Sequence, residues 1–515
     1  STNARSAAFD CLFSDFDATR SERIATPRFE KLLRQYQAGT LGGAGARELA
    51  MAAGLVPGHP SVERILLELI SHPREDVAAA AARSAARLPQ PALVQAAIAA
   101  LASPRTRSAA RAGLAGRGEE IVTPLLAALS DPAADPWVRR GVASVLGEIA
   151  TPATIDALIT SYLLPETEQA LDDQALVSLH RLRTQHDDLA FPAERVLEAV
   201  EREVQASGRY ARAAAALDGL PASMPGTLLV RALDEARRDR RASVFRWLGL
   251  VYPEQPMRRS YLALESGRPR RRANALEWIE TTVGHRTFSD LAAVLAEEVP
   301  QGSSREAEEV LRELWDDEDA WIARCALWTS FETDREATGE SLRGFSPAEP
   351  ALARLARRLA RRTQTPARDP GDERDEEEME LIEKVFRLQS VDLLSGVKSR
   401  QLALLASIAR EVEVRPDAVF IRRGEPTDAL YLVIHGEVSL EGEGEGSISL
   451  TDGEAFGTWA LIDEHPSLVE AHAVESTRVL RITREDFRDL LIDHPELGLD
   501  LLRGLASRVR GLAMT

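Results

Sequence analysis

Two spacings of apolar residues divide this chain into two regions. Before residue 365, apolar residues recur every three or four positions, as in 228–233 and 244–248, which is the period of an amphipathic helix. From 421 to 482, short apolar runs such as 430–434 and 478–482 are separated by turns that contain glycine. The pattern predicts a helical N-terminal region followed by a small domain of β-strands.

A repeat runs through the first helical region. The stretches 72–77, 103–107 and 131–140 each place a proline and charged residues before an apolar helical segment. They lie roughly 30 residues apart, which is the spacing expected of a helical solenoid. The third stretch, with Asp131-Pro132 and Val138-Arg139, resembles a HEAT repeat, and this resemblance implies two antiparallel helices joined by a capped turn.

Two segments near the C-terminus resemble signatures of cyclic-nucleotide-binding domains. Residues 421–438 contain the Gly-Glu turn, the Asp, the Leu-Tyr pair and the second Gly of the family's strand-turn-strand signature. Residues 453–474 are similar to the family's phosphate-binding cassette. The resemblance implies a β-roll that is preceded by helices within 377–408 and followed by hinge and lid helices within 484–512.

The predicted fold class is multidomain: an all-α HEAT-like solenoid, then an α+β domain in which helices flank a β-roll, or jelly roll. A linker is indicated by the turn-rich stretch 363–371 and the acidic run 375–378, which we expect to be solvated. The expected organisation is an N-terminal helical segment 1–50, HEAT-like repeats 51–190, further helical solenoid 191–362, linker 363–379 and cyclic-nucleotide-binding-like domain 380–515.

The cassette lacks the two polar residues that carry the family's ligand chemistry. In the family, backbone N–H groups at a short helix bind the cyclic phosphate, a Glu accepts the ribose hydroxyl, and an Arg pairs with the phosphate. Phe456 and Gly457 match the family, but Thr458 stands at the Glu position and Ser467 at the Arg position. No Arg or Lys occurs between 424 and 477, so a small shift of the alignment supplies no cation.

The missing arginine predicts weak binding of cyclic nucleotides. Losing one partner of a buried charge pair costs roughly 2–5 kcal/mol, which is roughly 30-fold to several thousand-fold in affinity. We therefore expect no cofactor and favour a β-roll retained for packing and partner contact. There are two alternatives: the domain binds a different ligand, or it binds cyclic nucleotides through unusual contacts. The residues of this degenerate pocket are Phe456, Gly457, Thr458, Trp459, Ser467, Leu468, Val469, Glu470 and His472.

Three side chains of the pocket bear on whether it could bind a ligand. Glu470 brings an acid near the place where a phosphate would lie. Trp459 could cap a base, although we expect a tryptophan of the core. His472 could offer a charge to an anion below about pH 6.5, although we expect an ordinary strand histidine.

Charge and composition limit the functions that the chain could have. The 515 residues carry a net charge of −18, and residues 371–515 alone hold 30 acidic and 16 basic residues, so we expect no nucleic-acid partner. The sequence contains no run of 18 apolar residues and no signal peptide. Cys11 and Cys325 lie far apart in the sequence, which suits a reducing cytosol, and we expect each to be a buried thiol. Phosphate-binding loops, nucleophile elbows and zinc-ligand spacings are absent, so we expect neither an enzyme nor a metal site.

A further resemblance concerns the whole protein. Residues 251–254 and 272–277 are similar to the soluble region of large bacterial proteins that join a major-facilitator or ADP/ATP-carrier-like membrane domain to HEAT repeats and a cyclic-nucleotide-binding domain. This implies that the chain is the cytosolic part of such a protein. We expect a cytoplasmic, non-enzymatic regulatory module whose solenoid meets a protein partner or membrane domain. The alternative is a sensor of cyclic AMP, cyclic GMP or another nucleotide that acts through the helices of 484–512.

Overall fold

The computed structural model describes most of the chain and divides it into two compact units. The first unit comprises the described residues up to Gln205 together with Arg241–Leu295, and the second comprises Ala206–Arg240 and the described residues from 307 onward. The described residues are 18–131, 133–164, 169–186, 188–217, 224–295, 307–347, 349–364, 381–394, 396–442, 447–462, 465–494, 496–502 and 504.

The first unit is built from helices joined by short turns. Two long helices, Ala193–Leu217 and Met224–Val251, contribute residues to both units. The helices are α1 Ala18–Gln37, α2 Gly43–Ala53, α3 Val62–Ile70, α4 Glu75–Arg87, α5 Pro91–Ala99, α6 Pro104–Ala115, α7 Val122–Ser130, α8 Pro136–Leu146, α9 Pro152–Leu163, α10 Gln169–Gln185, α11 Ala193–Leu217, α12 Met224–Val251, α13 Glu254–Leu264, α14 Pro269–Val283, α15 His285–Asp290 and α16 Ala292–Leu295.

Small residues allow these helices to approach closely. A Cβ atom on Gly113 of α6 would lie 2.6 Å from the Cβ of Ala86 in α4, and one on Gly141 of α8 would lie 2.7 Å from the Cβ of Leu101. Such separations are below van der Waals contact, so a larger residue would force the helices apart. The alanine-rich and glycine-containing repeat therefore produces tight helix stacking. Among the described helices, none is both long and apolar enough to cross a membrane.

The second unit contains further helices and the C-terminal strands in one compact body. Its apolar core holds three tryptophans, Trp315, Trp321 and Trp328, each less than a tenth exposed. Trp315 satisfies its indole N–H by donating to the Ser330 hydroxyl at 3.0 Å. Besides parts of α11 and α12, the helices are α17 Ala307–Glu313, α18 Ala320–Thr333, α19 Arg335–Leu342, α20 Pro350–Gln364, α21 Leu381–Gln389, α22 Ser399–Ile408 and α23 Arg484–Asp493.

In the described part of the C-terminal domain, two antiparallel sheets face each other. Their strands are β1 Arg410–Val414, β2 Val419–Ile421, β3 Ala429–His435, β4 Val438–Glu441, β5 Ser447–Leu450, β6 Ala455–Phe456, β7 Glu470–Ala473 and β8 Thr477–Thr483. One sheet has the order β1-β8-β3-β6 and the other β2-β7-β4-β5. Apolar side chains from both sheets fill the space between them, including Tyr431 and Phe456, whose rings stack with centroids 5.1 Å apart.

The predicted fold class is confirmed: a helical region precedes a β-roll that is flanked by α21, α22 and α23. Cys325 is a buried thiol, as expected, and Cys11 lies outside the described residues. Most of the predicted linker 363–379 and the end of the predicted lid helix, beyond 504, also lie outside them. The domain boundaries remain a prediction.

Candidate functional site

The helical turn of the cassette starts at a glycine whose conformation no other residue adopts easily. Strand β6 ends at Phe456, and Gly457 follows with φ = 70°, in the left-handed region. A Cβ atom here would lie 2.5 Å from the backbone oxygen of Ala429. Gly457 therefore lets the chain pass close to β3 and enter a short 3₁₀ helix, Thr458–Leu461, which we call the cassette helix.

Ser467, later in the cassette, is fixed to the turn before β3. Gly424 N–H donates to the Ser467 oxygen at 2.8 Å, and Ser467 N–H donates to the Glu425 oxygen at 2.9 Å. The Ser467 hydroxyl donates to the backbone oxygen of Val469 at 2.8 Å and accepts from the Val469 N–H at 3.2 Å. The side chain at the family's arginine position is thus engaged in its own local turn.

The expectation that Trp459 lies in the core is wrong. Its side chain is 64% exposed, whereas the next two residues, Ala460 and Leu461, are buried. A single turn of 3₁₀ helix can direct only part of its residues inward, and these two smaller residues take the inward positions. Leu468, later in the cassette, is 79% exposed. The cassette therefore presents Trp459 and Leu468, among other apolar side chains, to solvent.

Glu470 and His472 lie in β7, and both are half-buried. Because side chains alternate across a strand, they share one face of the sheet, while Ala471 and Ala473 point into the core and are fully buried. His472 pairs in register with Ser439 of β4. His472 therefore lies in a strand, as expected, and its part in any ligand binding stays a prediction.

An arginine outside the predicted pocket supports the cassette. The Arg484 guanidinium donates to the backbone oxygens of Ala460, in the cassette helix, and of Thr427, in the turn before β3. Its backbone N–H donates to the Asp428 oxygen at 2.7 Å. Arg484 thereby ties together the cassette, this turn and the start of α23.

The sequence carried a signal for Arg484 that the motif comparison did not use. A cation in the first turn of a helix opposes the helix dipole, so such a residue needs another reason for its place. Asp428, from the strand-turn-strand signature, likewise pairs with a strand residue, Arg481 of β8, at 3.0 Å. These arginines come after the region 424–477 that lacks cations, and both are engaged with the domain's own acceptors.

A group of polar contacts, which we call the polar junction, joins the C-terminal domain to the helices of the second unit. Its centre is Glu235 on α12, which accepts from the Ser399 N–H at 2.8 Å and from the Ser399 hydroxyl at 2.6 Å. The Trp321 indole donates to the same hydroxyl at 3.0 Å. Since Ser399 is the first residue of α22, the carboxylate lies at a helix N-terminus, where negative charge is stabilised.

Charged residues surround this centre. Arg231 donates to the other Glu235 oxygen at 2.8 Å and to the Val397 backbone oxygen at 2.7 Å. Lys398 pairs with Asp239 at 2.7 Å in a half-exposed position. An open cavity of about 610 Å³ adjoins the junction and is lined by residues of α12 with Gly396 and Lys398. Its cations and carboxylates pair with each other, so the cavity offers no excess of either charge.

An acidic turn before α18 extends the same network. Arg400 pairs with Asp319, and Asp319 N–H donates to Asp317 at 2.9 Å. The Tyr210 hydroxyl donates to the same Asp317 oxygen at 3.0 Å. Burial raises the pKa of Asp317 to about 6, although the hydrogen bonds from the Asp319 N–H and from Tyr210 oppose this rise. The described residues hold no cluster of side chains suited to a metal ion.

Comparison with known proteins identifies two domain families in the chain. Residues 411–494 match the family "Cyclic nucleotide-binding domain", and residues 91–176 match "HEAT repeats". The cAMP-dependent protein kinase regulatory subunit of Emericella nidulans is 32% identical over 106 residues, which are 20% of this chain and 26% of that protein. The CRP-like cAMP-activated global transcriptional regulator of Mycobacterium tuberculosis is 27% identical over 128 residues, 24% of this chain and 57% of that protein.

Solved structures resemble the same part of the chain. A cyclic nucleotide-binding-like protein from Brucella abortus is 31% identical, covers 21% of this chain and 97% of its own, and has a TM-score of 0.20. The catabolite activator protein of Thermus thermophilus is 29% identical, covers 24% of this chain and 61% of its own, and has a TM-score of 0.21. The chain thus spans about a quarter of the length of the kinase regulatory subunit and just over half of the length of the transcriptional regulator. Its HEAT repeats and its cyclic nucleotide-binding domain together make it a regulatory or interaction module.

Proposed function

We propose that this chain is a non-enzymatic scaffold whose C-terminal domain keeps the β-roll but does not bind cyclic nucleotides in the family manner. The observation that carries the proposal is the state of the arginine position. Ser467 stands there, its hydroxyl is bonded to Val469, and no Lys or Arg lies between 424 and 477. A cyclic phosphate in this cassette would meet no positive side chain from the cassette itself.

The energetic consequence supports this interpretation. An unpaired phosphate in a partly desolvated site loses the roughly 2–5 kcal/mol that a hydrogen-bonded arginine provides. Arg481 and Arg484, which follow the cassette, do not replace it, because Arg484 donates to backbone oxygens and Arg481 pairs with Asp428. Glu470 adds a carboxylate to β7 at the end of the cassette.

The polar junction suggests what the domain does instead. An α-solenoid needs a terminal element with a polar outer face to protect its last apolar surface. In the second unit the C-terminal domain is attached to α12 and α18 through Ser399, Arg400 and their partners. We infer that the domain closes the helical array and holds its last helices in one arrangement, while the repeats of the first unit offer a surface to a protein partner.

A nucleotide sensor is the second candidate function. The exposed side chain of Trp459 favours it, because an exposed aromatic ring beside a binding cassette could stack on a base. A ligand would regulate the protein only if it bound two arrangements of the hinge helix with different affinity. The contacts of Arg484, which tie α23 to the cassette without any ligand, weigh against such a movement.

The location and partner of the scaffold are proposals that rest on resemblance. Segments 251–254 and 272–277 are similar to the soluble part of bacterial membrane proteins with the same order of domains. We propose that the chain acts in the cytoplasm, next to a membrane domain of this kind. Its failure to co-purify with any membrane protein from its own source would count against this proposal and leave the proposal on the cassette intact.

The test of the proposed function is to rebuild the missing site in the full chain. The variant Thr458→Glu with Ser467→Arg restores both ligand groups, and we expect it to gain binding of cyclic AMP or cyclic GMP by about 30-fold or more over the parent. The matched control is Leu468→Arg, which adds the same charge one position away, on an exposed side chain. Equal affinity of the parent and the rebuilt variant would show that the two missing groups do not explain the behaviour of the domain.

A further inference from the structure

Arginines are concentrated around the turn that joins α13 to α14 in the first unit. Residues 255–276 contain six arginines and a single acidic residue, Glu265. Five of the arginines are exposed, two on α13, one in the turn and two at the start of α14: Arg258, Arg259, Arg268, Arg270 and Arg271. We call these five residues the arginine patch.

The guanidinium groups of the patch form no hydrogen bond or ion pair with any residue that the structure describes. The sixth arginine differs, because Arg272 donates to the backbone oxygen of Leu295. The carboxylate of Glu265 is also engaged, since it pairs with Arg241 of α12 at 3.2 Å. The positive charge of the patch is therefore not balanced by the acidic residue nearest to it in the sequence.

The stability of the helices does not explain the patch. Arg270 and Arg271 lie in the first turn of α14, which holds no acidic residue. Cations in this position oppose the helix dipole, so they destabilise the helix by a small amount. Residues that are locally unfavourable and have no partner in the fold point to a role in binding.

The patch surrounds an exposed turn and includes an exposed apolar side chain. Helices α13 and α14 contact each other, and every residue of 265–271 is exposed. Because α13 rises about 1.5 Å per residue, the five arginines lie within about 10 Å of the turn along the helix axes. Leu262 is 57% exposed and shares one face of α13 with Arg258 and Arg259, at spacings of four and three residues.

We propose that the arginine patch binds the anionic headgroups of a phospholipid bilayer and that Leu262 enters the boundary between the headgroups and the acyl chains. Basic residues that surround an apolar side chain are typical of surfaces that lie in this boundary. Each basic residue close to an anionic membrane strengthens binding by about fivefold, so the five arginines together provide about a thousandfold or more.

The net charge of −18 opposes the approach of the chain to an anionic surface. This opposition is limited, because the field of the membrane falls off over a screening length of about 8–10 Å and acts mainly on the groups at the contact. An acidic protein segment is the other partner that arginines attract. The exposed turn and the exposed Leu262 favour a bilayer, since a protruding turn can meet a flat surface.

This inference rests on the proposed location of the chain beside a membrane. The two can fail separately, because vesicles contain no membrane protein and co-purification tests the protein partner. The experiment is co-sedimentation of the full chain with vesicles of phosphatidylglycerol and phosphatidylcholine in equal parts, at low salt. We expect binding that weakens as sodium chloride is added, and no binding to vesicles of phosphatidylcholine alone.

The patch variant combines Arg268→Gln, Arg270→Gln and Arg271→Gln, and it should lose about a hundredfold in vesicle affinity. The variant should fold, because the three side chains are exposed and two of them oppose the dipole of α14; circular dichroism checks this. A separate variant, Leu262→Asn, leaves the charge unchanged and should lose about tenfold.

The matched control combines Arg83→Gln, Arg212→Gln and Arg343→Gln, which removes the same charge from three exposed arginines outside the patch. Its affinity should stay within about threefold of the parent. Failure of the parent to bind the anionic vesicles would overturn the proposal, and so would equal losses in the control and the patch variant. Binding of a labelled oligoglutamate without binding to vesicles would also overturn it and would assign the patch to an acidic protein partner.

Discussion

Replacing Glu235 with alanine is expected to loosen the attachment of the C-terminal domain to α12. The carboxylate accepts three hydrogen bonds, two of them from the fully buried Ser399. Without it, the N–H of Ser399 at the start of α22 loses its acceptor. A buried polar group left unpaired costs about 1–3 kcal/mol, and the loss of a buried carboxylate from such a network costs about 3–5 kcal/mol.

Amide hydrogen exchange measures this effect where it arises. A local loss of about 3 kcal/mol should speed exchange in α22 by about a hundredfold or more. The fluorescence of Trp321, whose indole donates to Ser399, should change at a lower denaturant concentration. The control is Asp239→Ala on the same helix, since its pair with Lys398 is about one-third exposed on both sides and contributes about 0–1 kcal/mol. Equal acceleration in both variants would refute the assignment of Glu235 as the centre of the junction.

Three further changes test other parts of the structure. Asp317→Asn keeps the oxygen that accepts from Tyr210 and should raise the free energy of unfolding at pH 8 by up to about 3 kcal/mol. Because burial raises the pKa of Asp317 to about 6, this gain should shrink as the pH falls from 6 to 4, where the parent carboxyl takes up a proton. A gain independent of pH would contradict the reasoning. Gly457→Ala should lower the free energy of unfolding, measured with denaturant, by about 3 kcal/mol. The control Gly453→Ala, at φ = 87° but with no atom within 4 Å of the added Cβ, should lower it by about 1 kcal/mol. Equal losses would exclude the close approach to Ala429 as the cause. Arg484→Met should speed amide exchange in the cassette helix by about tenfold, and unchanged exchange there would show that this side chain does not support the cassette.

The parts of the fold that depend on local pattern could be predicted from the sequence. Helical spacing, the roughly 30-residue repeat and the alternating strands identified the helical region and the β-roll, because each is set by neighbouring residues. The cassette could be located because residues 453–474, with Phe456 and Gly457, resemble the family's motif, and Gly457 adopts the positive φ that glycine tolerates best.

The contacts that depend on distant residues could not be predicted. Glu235 and Ser399 are separated by 164 positions, so no local pattern connects them. Trp459 was expected in the core because tryptophan is usually well buried, but the tight turn of the cassette helix gives the inward positions to Ala460 and Leu461. The role of Arg484 depends on backbone oxygens, which a comparison of side-chain motifs does not show.

The most direct test of the central claim is a calorimetric titration of the unmodified full chain with cyclic AMP and with cyclic GMP. Since Ser467 replaces the arginine of the cassette, a site that would bind at about 1 μM should bind at about 30 μM or far more weakly. The account therefore predicts no saturable heat at micromolar ligand. Saturable binding of either nucleotide with a dissociation constant near 1 μM would contradict it and make the chain a nucleotide sensor.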